Sequence, residues 1–328
     1  MGKYIAKRIL YMLFVFAVMT VVLFLLFNMI PGDPARAEVE AMKHMLKPEE
    51  YQYRYEQARK RLGLDDPMVI RYAKWAANLL RGDLGMSKVY NKPVVDVLKP
   101  PLKVTVTVNL FVTFFVLAIT IPLGITCAVR KNSKFDRTVQ VLTIVGHSLP
   151  VFIIALLFIY LFAVKLRWFP VSGMKTPNFS GTPWQEFKNM MWHLTLPLTV
   201  LTIGSLAGMT RYVRAAMIDA LSMDYVKTAR AKGLRERVVI YSHAWRNALL
   251  PVITLIIGWF MSIFSGSIVT ESMFVLEGMG KIYISSLNNQ DYNVAIAIQL
   301  FYIVMAVLGN LIADISYGIV DPRVRVNK

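Results

Sequence analysis

The 328-residue sequence contains a single cysteine, Cys127, so no intrachain disulfide can form. It has no paired-cysteine cluster, no His-Glu-x-x-His pair and no Gly-x-Ser-x-Gly elbow. A phosphate-binding loop is also lacking. The run Gly278-Met279-Gly280-Lys281 resembles the end of one, but Val275 replaces its first glycine and Ile282 its Ser or Thr. We therefore expect no catalytic site, no metal site and no cofactor in this chain.

Charged residues are missing from six long apolar windows. The chain is 56% hydrophobic and its mean hydropathy is +0.49, too apolar for an ordinary soluble domain. A helix needs roughly 20 apolar residues to cross the hydrocarbon core. The sequence therefore predicts an all-α polytopic membrane protein with six transmembrane helices. The windows are residues 9–30, 104–129, 138–164, 190–210, 247–270 and 293–313.

The net charge of +17 has two explanations, nucleic-acid binding and membrane topology, and the six apolar windows favour the second. If the N-terminus is cytoplasmic, the inner segments carry 18 Lys and Arg residues and the two short outer loops carry 5. Basic residues are enriched in cytoplasmic loops. Both termini are therefore expected to be cytoplasmic, in a cell membrane.

The apolar windows divide the chain into four parts. Residues 1–30 form the cytoplasmic N-terminus and the first span, and their 22-residue apolar run is too long for a cleaved signal peptide. Residues 31–103 form an external segment with helices expected at 49–61 and 67–80, either a surface hairpin or a platform for an external partner. The remaining parts are a five-helix core, 104–318, containing a cytoplasmic loop at 211–247, and a cytoplasmic tail, 319–328.

The loop at 211–247 contains a short helix with an unusual boundary. Asp224 is a suitable N-cap, residues 225–232 favour helix, and Gly233 can adopt the positive φ that ends it. A helix of about two turns is unstable alone. We therefore expect it to dock on a partner, through a face formed by Tyr225 and Ala229, and to transmit force to the spans on either side.

This loop resembles the EAA loop of binding-protein-dependent ABC importer permeases. The resemblance lies in Thr228-Ala229-Arg230-Ala231-Lys232-Gly233 followed by Arg246-Asn247-Ala248-Leu249-Leu250-Pro251. The glutamate of the general pattern is absent, since Lys227, Thr228 and Ala229 occupy the Glu-Ala-Ala places, as is common in the oligopeptide/dipeptide/nickel branch. Further matches to the B-type subunit of that branch, in order, are Pro31-Gly32-Asp33-Pro34, Leu62-Gly63-Leu64-Asp65, Gly82-Asp83-Leu84-Gly85, Glu271 with Phe274, Gly278-Met279-Gly280, Asp291-Tyr292 and Asp321-Pro322-Arg323.

The resemblance implies a type I ABC importer permease fold and a subunit that is not itself an enzyme. Together with a C-type homologue, the chain would form half of the translocation pathway of an importer that also depends on an external solute-binding protein. Two cytoplasmic ATPase domains would bind ATP and Mg²⁺. The residues expected to form the ATPase-coupling loop are Tyr225, Thr228, Ala229, Ala231, Lys232, Gly233 and Leu234. The cargo is expected to be a peptide, while the sequence leaves open a dipeptide, a longer peptide, a nickel chelate or another small solute.

Polar residues lie at the C-terminal end of the fifth apolar window. They could form hydrogen bonds between helices or line a water-filled pathway. They are Ser262, Ser265, Ser267 and Thr270. Two other functions are considered. An ion-coupled secondary transporter would carry charges within its spans, and a membrane-embedded hydrolase would need a nucleophile with a positioned base. The sequence displays neither feature.

The basic-residue count places Ser180 and Ser242 on opposite sides of the membrane. In a Cys127→Ala background, Ser180→Cys should react with an impermeant maleimide added from outside, and Ser242→Cys should not. Permeabilising the membrane should make Ser242→Cys reactive, which controls for exposure. The reverse labelling pattern would contradict the topology.

Overall fold

The computed structural model describes residues 2–30, 33–40, 43, 46–61 and 63–320, and within them the chain forms helices joined by turns. The helices are α1 (Gly2–Met29), α2 (Pro34–Val39), α3 (Pro48–Arg61), α4 (Met68–Leu80), α5 (Val94–Val129), α6 (Lys134–Ser148), α7 (Val151–Phe158), α8 (Pro183–Ser222), α9 (Asp224–Ala231), α10 (Glu236–Val238), α11 (Arg246–Ser262), α12 (Ile268–Met273), α13 (Met279–Asn288) and α14 (Tyr292–Val320). Two π-helical segments, Ile159–Lys165 and Val239–Trp245, continue α7 and precede α11. The motif residues Pro31, Gly32 and Leu62 and the tail from residue 321 lie outside the described residues.

Four helices in the described part of the chain are long and apolar enough to cross a membrane: Ala6–Met29, Val94–Val129, Pro183–Ser222 and Tyr292–Ala313. Two bent helix pairs also pass the test together. They are Lys134–Ser148 with Val151–Lys165, bent by 96°, and Glu236–Ile253 with Leu255–Ser262, bent by 48°. Counting each pair as one span gives six, which agrees with the predicted fold class.

The third span, predicted as the apolar window 138–164, is broken into two helices. The break falls at Leu149, which has φ −80° and ψ 128°, and Pro150, which precedes α7. A residue before proline is disfavoured in the helical region, and proline itself cannot donate a backbone hydrogen bond. Hydrophobicity continues through the break, so Pro150 is the one residue of the apolar window that indicates its position.

The fourth span is much longer than its apolar window. Helix α8 has 40 residues, so it extends about 60 Å, roughly twice the thickness of a hydrocarbon core. It begins with a capping box in which Thr182 and Gln185 satisfy each other's backbone amides. The polar extension of α8 beyond the window leads directly into α9, so the loop helix is joined to a spanning helix by the single residue Met223.

Helices α5 and α8 approach closely at Gly124. A Cβ atom there would lie 2.7 Å from Val213 Cβ and 2.9 Å from the carbonyl oxygen of Thr210. Glycine is therefore required by the distance between the two helices. By contrast, no described neighbouring atom lies within 4 Å of a Cβ built at Gly208.

A buried ion pair joins α6 to α8. Asp136 is fully buried, and Arg214 donates to its two oxygens from Nε and Nη2, each at 2.7 Å. The backbone amide of Asn132 and the side chain of Gln140 also donate to this carboxylate, at 2.9 and 3.0 Å. Every lone pair of the buried charge thus has a partner, which is the condition under which a buried ion pair is tolerated.

The chain divides into two compact units by its internal contacts. One unit comprises residues 100–282 with the end of α14 from Leu308, and it contains α6 to α12. The other comprises Gly2–Lys99 and Tyr283–Val307, and it contains α1 to α4 with the first part of α14. The helices predicted at 49–61 and 67–80 are confirmed as α3 and α4, and Gly63, at φ 63°, lies in the turn between them.

The ion pair yields a stability prediction. Arg214→Met leaves Asp136 charged and buried without its main partner, which should destabilise the protein by about 3–5 kcal/mol. The double variant Asp136→Leu/Arg214→Met removes both charges and should recover much of the loss. Lys227→Met is the matched control, because its pair with Asp224 is exposed and such pairs contribute less than about 1 kcal/mol. Thermal unfolding of the purified protein measures all three, and equal midpoints for Arg214→Met and Lys227→Met would contradict the prediction.

Candidate functional site

Helix α9 ends as the sequence predicts but begins differently. Its N-cap is Met223, not Asp224, so that detail of the prediction was wrong. Asp224 is instead the first helical residue, and its carboxylate accepts a hydrogen bond from Lys227 Nζ at 2.8 Å. The difference arises because a carboxylate in the first turn can stabilise the helix dipole from inside the helix as well as from the cap.

The end of α9 has the geometry of a Schellman motif. Gly233 has φ +75°, as predicted, and its amide donates to the carbonyl of Arg230 at 2.9 Å. The amide of Leu234 donates to the carbonyl of Ala229 at 3.4 Å. These two bonds satisfy carbonyls that the helix leaves unpaired. No described neighbouring atom lies within 4 Å of a Cβ at Gly233, so the constraint on this residue is its backbone conformation alone.

One face of α9 packs against its own chain. Val226 is fully buried and Ala229 is 4% exposed, and both belong to an apolar cluster with Val239 and Ala244 of the π-helical segment. Ala229, which the sequence predicts on the docking face, is therefore covered by its own chain. Residues three apart share a helix face. Ala229 therefore lies on the same inward face as the apolar Val226, and Tyr225 is left on the exposed side.

The buried side of α9 is continuous with three long helices. The cluster extends from α9 and the π-helical segment to the ends of α5, α8 and α11. Its buried members on those helices are Ile125 and Ala128 of α5, Met209, Val213, Met217 and Ala220 of α8, and Ala248 and Val252 of α11. Protein interiors are close-packed and transmit strain. A displacement of α9 should therefore move the ends of these three helices together.

The opposite face of α9 and the turn after it are exposed. Of the coupling-loop residues identified from the sequence, Tyr225 is 39% exposed, and Thr228, Ala231, Lys232, Gly233 and Leu234 are exposed as well. Sequence reasoning missed three further exposed apolar side chains in the same loop, Met223, Val238 and Tyr241. We call the exposed set the loop surface. It consists of Met223, Tyr225, Thr228, Ala231, Lys232, Gly233, Leu234, Val238 and Tyr241.

An ion pair between Arg230 and Glu236, which we call the Arg230–Glu236 clasp, spans the turn at Gly233. Arg230 Nη2 lies 2.6 Å from Glu236 Oε1, and Arg230 Nε lies 3.2 Å from Oε2. The hydrogen bonds that Arg230 donates to Glu236 raise the pKa of the Arg230 guanidinium, so it stays charged. Both side chains are half exposed, so the pair contributes little to stability. Its bidentate geometry instead fixes the angle between α9 and α10. The sequence signal for it, an Arg and a Glu flanking the glycine, was missed.

The four polar residues expected to line a pathway, Ser262, Ser265, Ser267 and Thr270, differ in their exposure and in the elements to which they belong. Helix α11 ends at Ser262, not at residue 270. Ser262 and Ser265 are exposed, whereas Ser267 caps α12 and Thr270 is buried. The side chain of Asn109 on α5 donates to the carbonyls of Ile263 and Ser265, at 3.0 and 2.8 Å. These are carbonyls that the end of α11 leaves unpaired.

The run Gly278-Met279-Gly280-Lys281, which resembles the end of a phosphate loop, binds the carboxylate of Glu271 from the same chain. The buried Glu271 accepts hydrogen bonds from the amides of Gly280 and Lys281, at 2.7 and 2.9 Å, and from Thr105 Oγ1 at 2.7 Å. The amides belong to the first turn of α13, where an anion is stabilised. The sequence could not reveal this, because Glu271 and Gly280 are brought together by the turn between α12 and α13.

Apolar spans and a loop helix that packs on one side against three long helices are the architecture of a membrane permease subunit. The chain belongs to the family of binding-protein-dependent transport system inner membrane components. Residues 120–326 match the family's main domain and residues 1–109 its N-terminal domain. Subunits of this class act with a partner permease, an ATPase and a solute-binding protein. This membership decides against the ion-coupled transporter and the hydrolase.

Several named relatives align over nearly the whole chain. The oligopeptide transport system permease protein AppB of Bacillus subtilis (strain 168) is 38% identical over 325 residues, which is 99% of each chain. The dipeptide transport system permease protein DppB of the same organism is 32% identical, covering 100% of this chain and 99% of its own. The glutathione transport system permease protein GsiC of Escherichia coli O6:H1 is 34% identical over 99% of each chain.

A solved structure shares the fold. A chain of the MetNI methionine ABC transporter, in an inward-facing conformation, superposes with a TM-score of 0.50 and 16% identity. The match covers 66% of this chain and 94% of that chain. At this identity the similarity concerns the fold alone, and it agrees with the predicted type of permease fold.

The glycine at the start of α13 yields a second stability prediction. A Cβ on Gly280 would lie 2.6 Å from the backbone nitrogen of Ile268, which cannot move without displacing α12. Gly280→Ala should therefore destabilise the protein by about 1–3 kcal/mol through overpacking. Gly208→Ala is the matched control, since its site is open and alanine favours helix by up to about 1 kcal/mol. Thermal unfolding in detergent compares the two, and an unchanged midpoint for Gly280→Ala would show that the close approach is wrong.

Proposed function

We propose that this chain is the B-type permease subunit of a peptide importer. Three sequence relatives are named for oligopeptide, dipeptide and glutathione transport, and each aligns over 99% or more of this chain. Peptides are therefore the substrate class that the relatives support. The partners are a homologous C-type permease, two cytoplasmic ATPase domains that bind ATP and Mg²⁺, and an external solute-binding protein. The basic-residue distribution supports cytoplasmic termini.

The loop surface is the part of this chain that docks on the ATPase. The observation that carries this assignment is the two-sided character of α9. One side, Val226 and Ala229, is buried in the cluster that joins α5, α8 and α11, while the other side, with Tyr225 and Thr228, is exposed. A partner that grips the exposed side therefore acts directly on three long helices.

Coupling follows from this arrangement. Closure of the ATPase domains on ATP displaces α9, and the close-packed cluster carries the displacement to the ends of α5, α8 and α11. The Arg230–Glu236 clasp keeps the angle at Gly233 fixed while force is applied. The spans then change between inward-facing and outward-facing arrangements.

Burial reduces the set of residues that we assign to the lining of the translocation pathway. Ser262 and Ser265 are exposed near the end of α11 and offer hydroxyl groups that suit a polar solute. Ser267 and Thr270 stabilise α12 and its surroundings instead. We assign the lining role to the first pair. The binding protein is expected to set much of the selectivity among peptides.

Substitutions at Gly233 test the coupling role. Valine is strained at φ +75°, whereas asparagine tolerates this region, so Gly233→Val should redirect the turn and Gly233→Asn should preserve it. In the complete importer, the Val variant should lose peptide uptake and the stimulation of ATPase activity by loaded binding protein. The Asn variant should keep most of both.

Co-purification separates docking from folding. Both Gly233 variants should be inserted and purified at similar yield, because no apolar span is changed, and the Val variant should retain less ATPase subunit. Tyr225→Arg, on the exposed face, should lose the ATPase in the same way. Normal uptake and normal ATPase recovery for Gly233→Val and Tyr225→Arg would refute the assignment of the loop surface.

A further inference from the structure

Helix α4 has a wide apolar arc of which its own chain covers only part. Tyr72, Trp75 and Leu79 are partly buried against neighbouring helices. Beside them, Val69 is 79% exposed and Leu80 is 83% exposed, on a strip that also contains the exposed alanines 73 and 77. The polar residues Lys74, Asn78 and Arg81 occupy the remaining side. Such a distribution is typical of helices that lie in a membrane interface.

The depth of α4 is set by its contacts with α1. The hydroxyl of Tyr72 lies 2.9 Å from Thr20 Oγ1, and Phe24 packs against the rings of Tyr72 and Trp75 with centroids 5.4 and 5.6 Å apart. Thr20 lies nine residues before Met29, the end of the spanning segment Ala6–Met29, or about 13 Å along the helix. Helix α4 therefore reaches alongside the apolar part of α1 instead of lying beyond its end.

A second spanning helix lies on the other flank of α4. Trp75 and Leu79 line a small gap together with Ile296 and Leu300 of α14. At the same level, Phe27 of α1 and Tyr292 of α14 are 5.9 Å apart by ring centroids. Helix α4 is thus seated against two spanning helices. Apolar side chains of α1 near the same level, Val22 and Leu26, are exposed as well.

We propose that α4 is an interfacial helix whose strip of Val69, Ala73, Ala77 and Leu80 lies in the acyl chains of the leaflet at the Met29 end of α1. The occupant of this surface is lipid, because α4 packs alongside the apolar part of a spanning helix and its exposed apolar strip therefore lies at the depth of that span. The opposite side suits the headgroup region. Lys74 is held there by Asp66, with Nζ 2.6 Å from Oδ2, and a lysine can keep its charged end in water while its stem covers apolar surface.

This placement fixes the segment that follows α4. The buried Asp291, just before α14, accepts hydrogen bonds from the Ser87 hydroxyl and from the amides of Lys88 and Val89. Asn293 donates to the carbonyl of Met86 at 2.8 Å. One end of the segment is thus bound to α14 and the other end continues from a helix held by lipid, so the segment between them is kept at the membrane surface. The proposal does not depend on the cargo or on the coupling role of α9.

Spin labels on single cysteines test the proposal in the assembled importer reconstituted in liposomes, with Cys127→Ala as background. Val69→Cys and Leu80→Cys are the test positions, and Lys74→Cys is the matched control on the polar side of the same helix. The two test side chains are almost fully exposed, so replacing them removes few internal contacts. Collision with oxygen, which partitions into lipid, is compared with collision with a water-soluble nickel complex.

The labels at positions 69 and 80 should favour oxygen over the nickel complex several-fold relative to the label at position 74. Equal access of the nickel complex to all three positions would place the strip in water and overturn the proposal. Exclusion of both reagents from positions 69 and 80 would show that a protein surface covers the strip, which also overturns it. Addition of the solute-binding protein should leave the oxygen preference unchanged.

Discussion

The burial of one side of α9 is the constraint on which the arrangement of the loop and its three neighbouring helices depends. A helix of eight residues is unstable alone, and α9 forms because Val226 and Ala229 enter a close-packed apolar cluster with the π-helical segment and the ends of α5, α8 and α11. The same burial determines which residues remain available to a partner. It also explains why a short exposed element can act on long helices, since close packing leaves little room for α9 to move independently.

A second physical requirement recurs at the ends of α9 and α11 and at the start of α13: unpaired backbone groups need partners. Asn109 supplies donors to the carbonyls after α11, and Glu271 accepts from the amides that begin α13. Gly233 and Leu234 satisfy the end of α9 through a Schellman motif. Where a run of sequence looks like an anion-binding loop, the anion is a carboxylate of the chain itself. The amides of Gly280 and Lys281 in this run are thus engaged by Glu271.

Much of the architecture could be predicted, and the failures have identifiable causes. The apolar windows, the two helices of the external segment and the positive φ of Gly233 followed from hydrophobic length, periodicity and the special conformational freedom of glycine. Three features did not follow from the same patterns: the third span is bent, Ala229 is covered by its own chain, and α11 ends at Ser262 and not at Thr270. In each case a local pattern was correct as far as it extended, but a proline, a competing apolar face or a hydrogen bond from a distant helix changed the outcome.

The sequence by itself determined the class of protein: charge-free apolar windows require spanning helices, because hydrocarbon leaves no partner for an unpaired backbone, and the ordered motifs around Gly233 identify the permease branch. Only the tertiary structure decided which residues face inward. Val226 and Tyr225 are neighbours in sequence, yet one is buried and the other exposed. Asp136 and Arg214 are 78 residues apart, yet they share two hydrogen bonds. Such choices depend on contacts between distant segments, and hydrophobicity along one helix contains no information about the surface that will cover it.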